Sequence, residues 1–127
     1  MNPDFFNQGM PAGDWTSGEA AIRYQTCDAC DMTWYFYRPF CPGCGARSPR
    51  LNLASGRGTV YSTTLVNRAP SRELAGHVPY CIVLVDADEG FRLMAHGDAS
   101  LQIGDKVTAS FRQFGDVLVP HFSRATA

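Results

Sequence analysis

Residues 27–44 carry two Cys-x-x-Cys pairs with ten residues between them, Cys27-Asp28-Ala29-Cys30 and Cys41-Pro42-Gly43-Cys44. Two such pairs on short turns can direct four sulfurs at one point. Four thiolates at about 2.3 Å around a tetrahedral ion make a closed Zn²⁺ site, which has no open position for water or substrate. The spacing therefore predicts a structural zinc ribbon whose ligands are Cys27, Cys30, Cys41 and Cys44.

The same four cysteines could instead form two disulfides or a redox-active pair. Disulfides are typical of secreted proteins, whereas this sequence opens without the basic and apolar leader of a secreted chain. A redox Cys-x-x-Cys is expected inside a βαβ unit, and no such pattern surrounds either pair. Reduced, metal-bound cysteines, and the lack of an apolar run long enough to span a bilayer, predict a cytoplasmic protein with no membrane partner.

Charge is distributed unevenly along the 127 residues, although the net charge is only −1. Arginines are concentrated between Ala20 and Arg72, around the cysteine pairs, whereas acids outnumber bases from Glu73 onward. The planar guanidinium group suits phosphate recognition. An anionic ligand or partner near the ribbon is one interpretation of this pattern, and a solvated ribbon surface is the simpler one.

The sequence divides into an N-terminal arm (1–26), the zinc ribbon (27–54) and a C-terminal domain (55–127), with Ser55-Gly56-Arg57-Gly58 as a linker. Glycine and proline residues interrupt the arm, so it cannot complete a long helix. The arm carries three aromatic residues that either await a partner or pack on the chain's own surface: Phe5, Phe6 and Trp15.

The C-terminal domain contains five strand-like runs and no strong helix pattern. The runs are Thr59–Asn67, Tyr80–Val85, Phe91–His96, Lys106–Arg112 and Val117–Phe122. The second is apolar throughout and is therefore expected to be a central strand. Five strands joined by loops of uneven length predict a mainly β protein with a Greek-key barrel of the OB-fold type.

Between the cysteine pairs lies an aromatic run: Trp34, Tyr35, Phe36, Tyr37 and Phe40. A ribbon has almost no core of its own, so some of these rings must face the C-terminal domain or another protein. Large aromatic residues with arginine are typical of interface centres, and stacking on nucleic-acid bases is an alternative use. If the run is one strand, either Trp34 and Phe36 or Tyr35 and Tyr37 should point outward.

From residue 20 to residue 122 the chain resembles the domain-of-unknown-function thirty-five family, whose members join a rubredoxin-like zinc ribbon to an OB-fold. The resemblance rests on both cysteine pairs and on further segments: Ser55-Gly56-Arg57-Gly58-Thr59-Val60-Tyr61-Ser62, Pro79-Tyr80, Val85-Asp86, Glu89-Gly90, Ile103-Gly104-Asp105-Lys106-Val107 and Pro120-His121-Phe122. Asp31 stands where members of that family usually have glycine.

The resemblance implies an accessory subunit of a thiolase-type complex, which acts as a thiolase, acyltransferase or retro-aldolase. In such complexes the catalytic residues belong to the partner, and the small protein helps to bind acyl-CoA or completes the assembly. Because thiolase-like proteins are usually dimers, two copies of each subunit are expected. If the chain binds CoA, its candidate ligands flank the junction between ribbon and barrel: Arg38, Arg47, Arg57 and Arg68.

A catalytic set of this chain's own is not evident from the residues. Cys81 lies in the most apolar run, so it is expected to act as a buried small hydrophobe. The three histidines, 77, 96 and 121, are interpreted as surface or turn residues. The alternative function is nucleic-acid binding by the ribbon and barrel, which would show steep salt dependence. No lysine-rich strip supports it, and nucleic acid is not expected as a partner.

Overall fold

The computed structural model of the chain describes residues 14–68, 72, 76 and 78–125. The expectations for Phe5 and Phe6, for the interrupted arm up to residue 13 and for His77 lie outside these residues. Within them the fold is mainly β, as predicted: a three-stranded sheet is followed by a closed five-stranded barrel. Among the described helices, none is long and apolar enough to cross a membrane.

The described chain begins with a short 3₁₀ helix, Trp15–Ser17, which Asp14 caps. The buried Asp14 carboxylate accepts hydrogen bonds from the backbone N–H groups of Thr16 (2.9 Å) and Arg23 (3.2 Å). Trp15 packs against the main core, and its indole N–H donates to the Tyr35 hydroxyl at 2.7 Å. Trp15 thus packs on the chain's own surface, which was one of the two expectations for this residue.

The small sheet consists of β1 (Arg23–Thr26), β2 (Thr33–Trp34) and β3 (Arg50–Leu53), in the order β2-β1-β3 with antiparallel neighbours. The expectation that the aromatic run alternates as one strand is wrong, because β2 ends at Trp34. Trp34 and Tyr35 are adjacent and both are buried, at 9% and 8% exposed. Trp34 packs against Cys27 and Cys41, whereas Tyr35 joins the core of the barrel.

The barrel strands lie close to the predicted runs. They are β4 (Arg57–Val66), β5 (Tyr80–Ala87), β6 (Arg92–Gly97), β7 (Lys106–Phe114) and β8 (Val117–Arg124). The barrel closes in the order β4-β5-β6-β8-β7, with β7 pairing back to β4. The β6–β8 pair is parallel and every other neighbouring pair is antiparallel. This order is that of the predicted five-stranded OB-type barrel.

Alternate residues of the barrel strands fill its interior. The most buried are Val60, Val83, Val85, Leu93, Val107 and Phe122. The outward-facing Ile82 and Leu84 on β5 are also apolar and half-buried, which explains why that strand has no polar alternation in the sequence.

Three stacked rings join the small sheet to the barrel. Phe91, which precedes β6, lies between Tyr24 (4.9 Å between ring centroids, 20° between planes) and Tyr35 (5.6 Å, 10°). Ile22 and Tyr35 belong to the same buried cluster as the barrel's interior residues. The two β units therefore share one continuous core, which holds the cysteine pairs at a fixed place beside the barrel.

Candidate metal centre and neighbouring surfaces

The two Cys-x-x-Cys segments form equivalent turns. In the first, the N–H of Asp31 donates to the Cys27 carbonyl at 2.8 Å, and the N–H of Cys27 donates to the Met32 carbonyl at 2.9 Å. In the second turn, Gly45 donates to Cys41 at 3.0 Å, and Cys41 donates to Ala46 at 2.8 Å. Asp31 and Gly45 therefore occupy the same position, and both have positive φ angles, 65° and 80°. This position explains why glycine is the common residue there.

The four sulfur atoms of Cys27, Cys30, Cys41 and Cys44 lie within 4.8 Å of one another. Two sulfur pairs from opposite turns are 3.6 Å apart. A tetrahedron with metal–sulfur bonds of about 2.3 Å has edges of about 3.8 Å, so the cluster fits a metal ion. All four cysteines are free, and 3.6 Å is far beyond the disulfide bond length of about 2.05 Å. The cluster could hold a metal ion; the disulfide alternative does not fit it.

Backbone donors favour the thiolate form of the buried Cys41. Burial opposes ionisation of this sulfur, but the N–H groups of Cys44 (3.4 Å) and Gly43 (3.3 Å) donate to it and lower the pKa of Cys41 to about 6. Thiolates are the form of cysteine that binds metals, and such N–H contacts stabilise their charge. The backbone of the second turn thus stabilises a thiolate at Cys41.

A buried glutamine supports the segment between the two turns. Gln25, which is 1% exposed, accepts hydrogen bonds from the Trp34 indole N–H (2.8 Å) and the Arg38 backbone N–H (2.7 Å). Its amide N–H₂ group donates to the Arg38 carbonyl at 2.9 Å. These three bonds fix both ends of the 34–38 segment. The sequence offered no signal for this role, since an isolated glutamine in a short strand is usually a surface residue.

A groove of about 400 Å³ lies between the ribbon and the β5–β6 hairpin. We call it the junction groove. Its walls come from both sides of the ribbon–barrel joint: Thr33, Trp34, Tyr35, Phe36, Arg38, Pro42, Gly90, Phe91 and Arg92. The groove combines aromatic rings with two guanidinium groups, although the sequence pattern had pointed to only one of its arginines.

The structure does not bring all four candidate arginines into this groove. Arg38 lines it, whereas Arg47, Arg57 and Arg68 do not. Arg47 pairs with Phe40 in an isolated β-bridge, Arg57 opens β4, and Arg68 is exposed just after β4. Arg92, which sequence reasoning did not select, lies in the groove because the β5–β6 hairpin returns the chain to the ribbon.

The aromatic candidates divide into buried and exposed residues. Trp34 and Tyr35 are part of the chain's own packing, as described above. Phe36 and Phe40 are 72% and 50% exposed, and Tyr37 is half-buried. Burial raises the pKa of Tyr35 to about 12 despite the Trp15 N–H bond that favours ionisation, with Asp14 also raising it, so Tyr35 stays neutral. The exposed rings of the run are therefore Phe36 and Phe40.

A second polar cluster lies at the β6–β8 junction. His121 Nε2 is 2.7 Å from Asp98 Oδ1, and this hydrogen bond is the main reason why the pKa of Asp98 is lowered. His96 stacks on Tyr80 (5.1 Å, 13°) and meets Phe114 edge-on at 4.4 Å. Burial, and then the charge of His121, lower the pKa of His96. Sequence reasoning missed this cluster because parallel pairing of β6 and β8 brings its members together.

Comparison with known proteins adds three matches. Residues 52–112 match the family model described as "ChsH2, C-terminal OB-fold domain". A "DUF35 domain-containing scaffold protein" of Methanothermobacter thermautotrophicus is 29% identical over an alignment of 92 residues, and the alignment covers 68% of this chain and 68% of that protein. A "probable enoyl-CoA hydratase alpha subunit" of Thermomonospora curvata is 35% identical over 72 residues; these are 57% of this chain but only 22% of that protein.

Two solved structures are also similar. The chain aligns with the "Ltp2-ChsH2(DUF35) aldolase" at a TM-score of 0.70 and 27% identity, covering 84% of this chain and 86% of that one. A DUF35 family protein from Sulfolobus solfataricus aligns at a TM-score of 0.56 and 18% identity, covering 83% and 76% of the two chains. At that identity, the second match speaks for the fold alone.

The fold and the cysteine cluster define the class: a small sheet carrying four clustered cysteines is joined to an OB-type barrel. Within that class, the matches confirm the resemblance to the DUF35 family, which is the domain-of-unknown-function thirty-five family of the sequence analysis. The proteins it resembles include a chain of the Ltp2-ChsH2(DUF35) aldolase and a protein described as a scaffold.

Proposed function

We propose that the chain is a zinc-containing accessory subunit of a thiolase-type complex, which could be a thiolase, an acyltransferase or a retro-aldolase. The observation that carries the proposal is the match to the Ltp2-ChsH2(DUF35) aldolase structure over most of both chains. That aldolase is named for a DUF35 protein, ChsH2, together with a second protein, Ltp2. By this analogy, the partner of our chain supplies the catalytic residues, and our chain completes the assembly in the cytoplasm.

The metal of the four-cysteine cluster is proposed to be Zn²⁺. Four thiolates in a tetrahedron are a preferred set for zinc, and all four positions are filled by protein. Such an ion is structural: it holds the two turns together and leaves no position at which water could be activated. Cys27 and Cys41, which are each 1% exposed, would form the inner side of the site, and Cys30 and Cys44 its solvent side.

Acyl-CoA is the proposed ligand of the complex, and this chain is proposed to contribute to its binding. Support comes from the arginines around the ribbon and from the relative whose name includes enoyl-CoA hydratase. The four candidate ligands remain Arg38, Arg47, Arg57 and Arg68. The contribution is expected to be binding energy and orientation, since CoA carries phosphates that guanidinium groups recognise.

Phe40 and its neighbours are the proposed anchor for the partner. Phe40 is 50% exposed on the ribbon, next to the half-buried Tyr37. Alanine at Trp34 or Tyr35 would test folding rather than docking, because both rings are buried within the chain. An exposed ring that becomes buried in a complex is typical of an interface centre.

Calorimetric titration of CoA into the complex tests the ligand. The purified complex of this chain with a thiolase-like protein from the same genome should bind CoA. A complex in which all four arginines are replaced by alanine should bind it at least several-fold more weakly, because charge-assisted bonds to phosphate are lost. Equal affinity of the two complexes would exclude these arginines from the site. The chain alone should turn over no acyl-CoA.

A further inference from the structure

The junction groove presents a bare aromatic ring and an unpaired cation close together in sequence. Phe36 is 72% exposed, which is unusual for a phenylalanine in a small domain. Two residues further on, the Arg38 guanidinium has no hydrogen-bond or ion-pair partner within the described residues. Both side chains line the groove. Phe36 and Arg38 do not lie in an unsupported loop, because hydrogen bonds hold both ends of the 34–38 segment.

Gln25 provides the hydrogen bonds that hold the 34–38 segment in place. Its amide group bonds to the Trp34 side chain and to both backbone groups of Arg38. Phe36 lies between these two anchored residues. Its ring packs against the ring of buried Tyr35, with 5.3 Å between ring centroids and 59° between ring planes. A loop that is ordered before a ligand arrives loses little entropy when the ligand binds. The arrangement therefore resembles a preformed ligand site.

The opposite wall supplies apolar surface and little free charge. Arg92 stacks over the Tyr61 ring at 3.5 Å and pairs with Asp86 at 2.6 Å, so its charge is already shared. Gly90 and Phe91 line the groove beside Arg92, and Pro42 lines it from the ribbon. The groove thus presents the exposed Phe36 ring and, of its two arginines, one guanidinium without a partner among the described residues.

We propose that the junction groove binds the phosphorylated adenosine end of the CoA ligand, with the base stacked on Phe36 and a phosphate on Arg38. This inference rests on the proposed function, and it selects one of the four candidate arginines. Bases stack on aromatic side chains, and guanidinium groups bind phosphate oxygens in pairs. A volume of about 400 Å³ is within the usual range for small-molecule sites. Binding a nucleic-acid strand requires several cationic side chains along its phosphates, whereas Arg38 is the one unpaired cation among the described residues that line this groove.

Titration of the full-length, metal-loaded chain with adenosine 3′,5′-bisphosphate, adenosine and inorganic phosphate tests the assignment. The bisphosphate should bind more tightly than either fragment. Arg38→Ala should weaken binding of the bisphosphate and of phosphate by roughly tenfold or more, as expected for a lost bond to a charged group. Phe36→Ala should weaken the bisphosphate and adenosine by roughly fivefold or more and leave phosphate unchanged.

Arg112→Ala is the matched control. Arg112 is an exposed arginine on β7 that does not line the groove, so its removal should leave all three affinities unchanged. The proposal is overturned if the bisphosphate shows no saturable binding, or if Arg38→Ala and Arg112→Ala behave alike. Tighter binding of a single-stranded oligonucleotide than of the bisphosphate would also overturn it, in favour of nucleic acid.

The outcomes separate this inference from the function on which it rests. If Arg38→Ala has no effect while the complex with a thiolase-like protein still forms and binds CoA, only the groove assignment fails. If the complex does not form, the proposed function fails, whatever the chain binds alone.

Discussion

Asp31 and Gly45 occupy equivalent positions in the two turns, but the conformational free energy of the left-handed backbone differs between aspartate and glycine. Both have left-handed backbones in equivalent Cys-x-x-Cys turns. Aspartate reaches this region more easily than most residues, but its Cβ still makes the region unfavourable. Asp31→Gly should therefore stabilise the metal-loaded protein by up to about 1 kcal/mol, and Gly45→Ala should destabilise it by about 1 kcal/mol.

Thermal unfolding of the two variants beside the parent protein measures both effects. Opposite shifts in Tm are expected. If Asp31→Gly lowers the Tm, the two turns are not energetically equivalent, and the aspartate side chain contributes something that the shared geometry does not explain.

His96 should make stability depend on pH. Its folded-state pKa lies below 6.5, because of burial and then the charge of His121 on β8. As the pH falls below about 6.5, the unfolded chain takes up a proton that the folded chain binds more weakly, so stability decreases. His96→Phe keeps a ring against Tyr80 and Phe114 and removes this titration. Urea unfolding at pH 7.5 and 5.5 should show a smaller loss for the variant. Equal losses would exclude His96 as the cause.

At the scale of elements, Gly58 shows why β4 starts earlier than expected. The sequence suggested a flexible linker over residues 55–58, but β4 begins at Arg57 and Gly58 pairs with Ala87. A Cβ on Gly58 would lie 2.6 Å from the Asp86 carbonyl oxygen and 2.5 Å from Val85 Cγ1. Glycine is needed there for close strand contact rather than for a turn.

Gly58→Ala should therefore destabilise the barrel by about 1–3 kcal/mol, because backbone atoms must move apart. Gly76→Ala is the matched control, since a Cβ there meets nothing within 4 Å, and it should change stability by less than about 0.5 kcal/mol. Chemical denaturation gives both values. Similar midpoints for the two variants would contradict the close contact seen at Gly58.

Metal removal should act mainly on the ribbon. Cys41→Ser replaces a buried ligand, and zinc-finger peptides gain on the order of 10–16 kcal/mol from their metal. The variant should lose its zinc and its protection from hydrogen exchange over residues 27–44, while the barrel strands stay protected. Cys81→Ala, a buried barrel cysteine outside the cluster, should keep one zinc per chain. Retained zinc in Cys41→Ser, measured by native mass spectrometry, would contradict the assignment.

The elements that the sequence predicted well have strong local patterns. The barrel strands alternate or are apolar throughout, and the cysteine spacing brought four sulfurs together. The aromatic run between the cysteines was wrongly predicted to alternate as one strand, because its rings pack against two different parts of the molecule. Trp34 turns to the cysteines and Tyr35 to the barrel, so the period of a strand is lost after two residues.

At the scale of the whole molecule, the features that the sequence did not predict depend on contacts between residues far apart in the chain. The junction groove combines Arg38 of the ribbon with Arg92 of the β5–β6 hairpin, and the Asp98–His121 pair depends on parallel strands. No local sequence pattern predicts such contacts between residues that are far apart in the chain. For the same reason, charge position alone could nominate four arginines but could not decide which of them face a common cavity.

The partner surface is also a property of the whole molecule. Phe40→Ala should weaken a complex with the thiolase-like partner by about 2 kcal/mol, if its ring becomes buried in the interface. Ile103→Ala is the control, because Ile103 is 71% exposed in the barrel loop that precedes β7. Equal affinities of the two variants for the partner, measured by biolayer interferometry, would remove Phe40 from the interface.

The mass of the co-expressed proteins tests the central claim most directly. This chain and a thiolase-like protein from the same genome should elute together in size-exclusion chromatography with light scattering, at the mass of two copies of each. The complex should process acyl-CoA, and this chain alone should not. Separate elution of the two proteins, or turnover of acyl-CoA by this chain alone, would contradict the account.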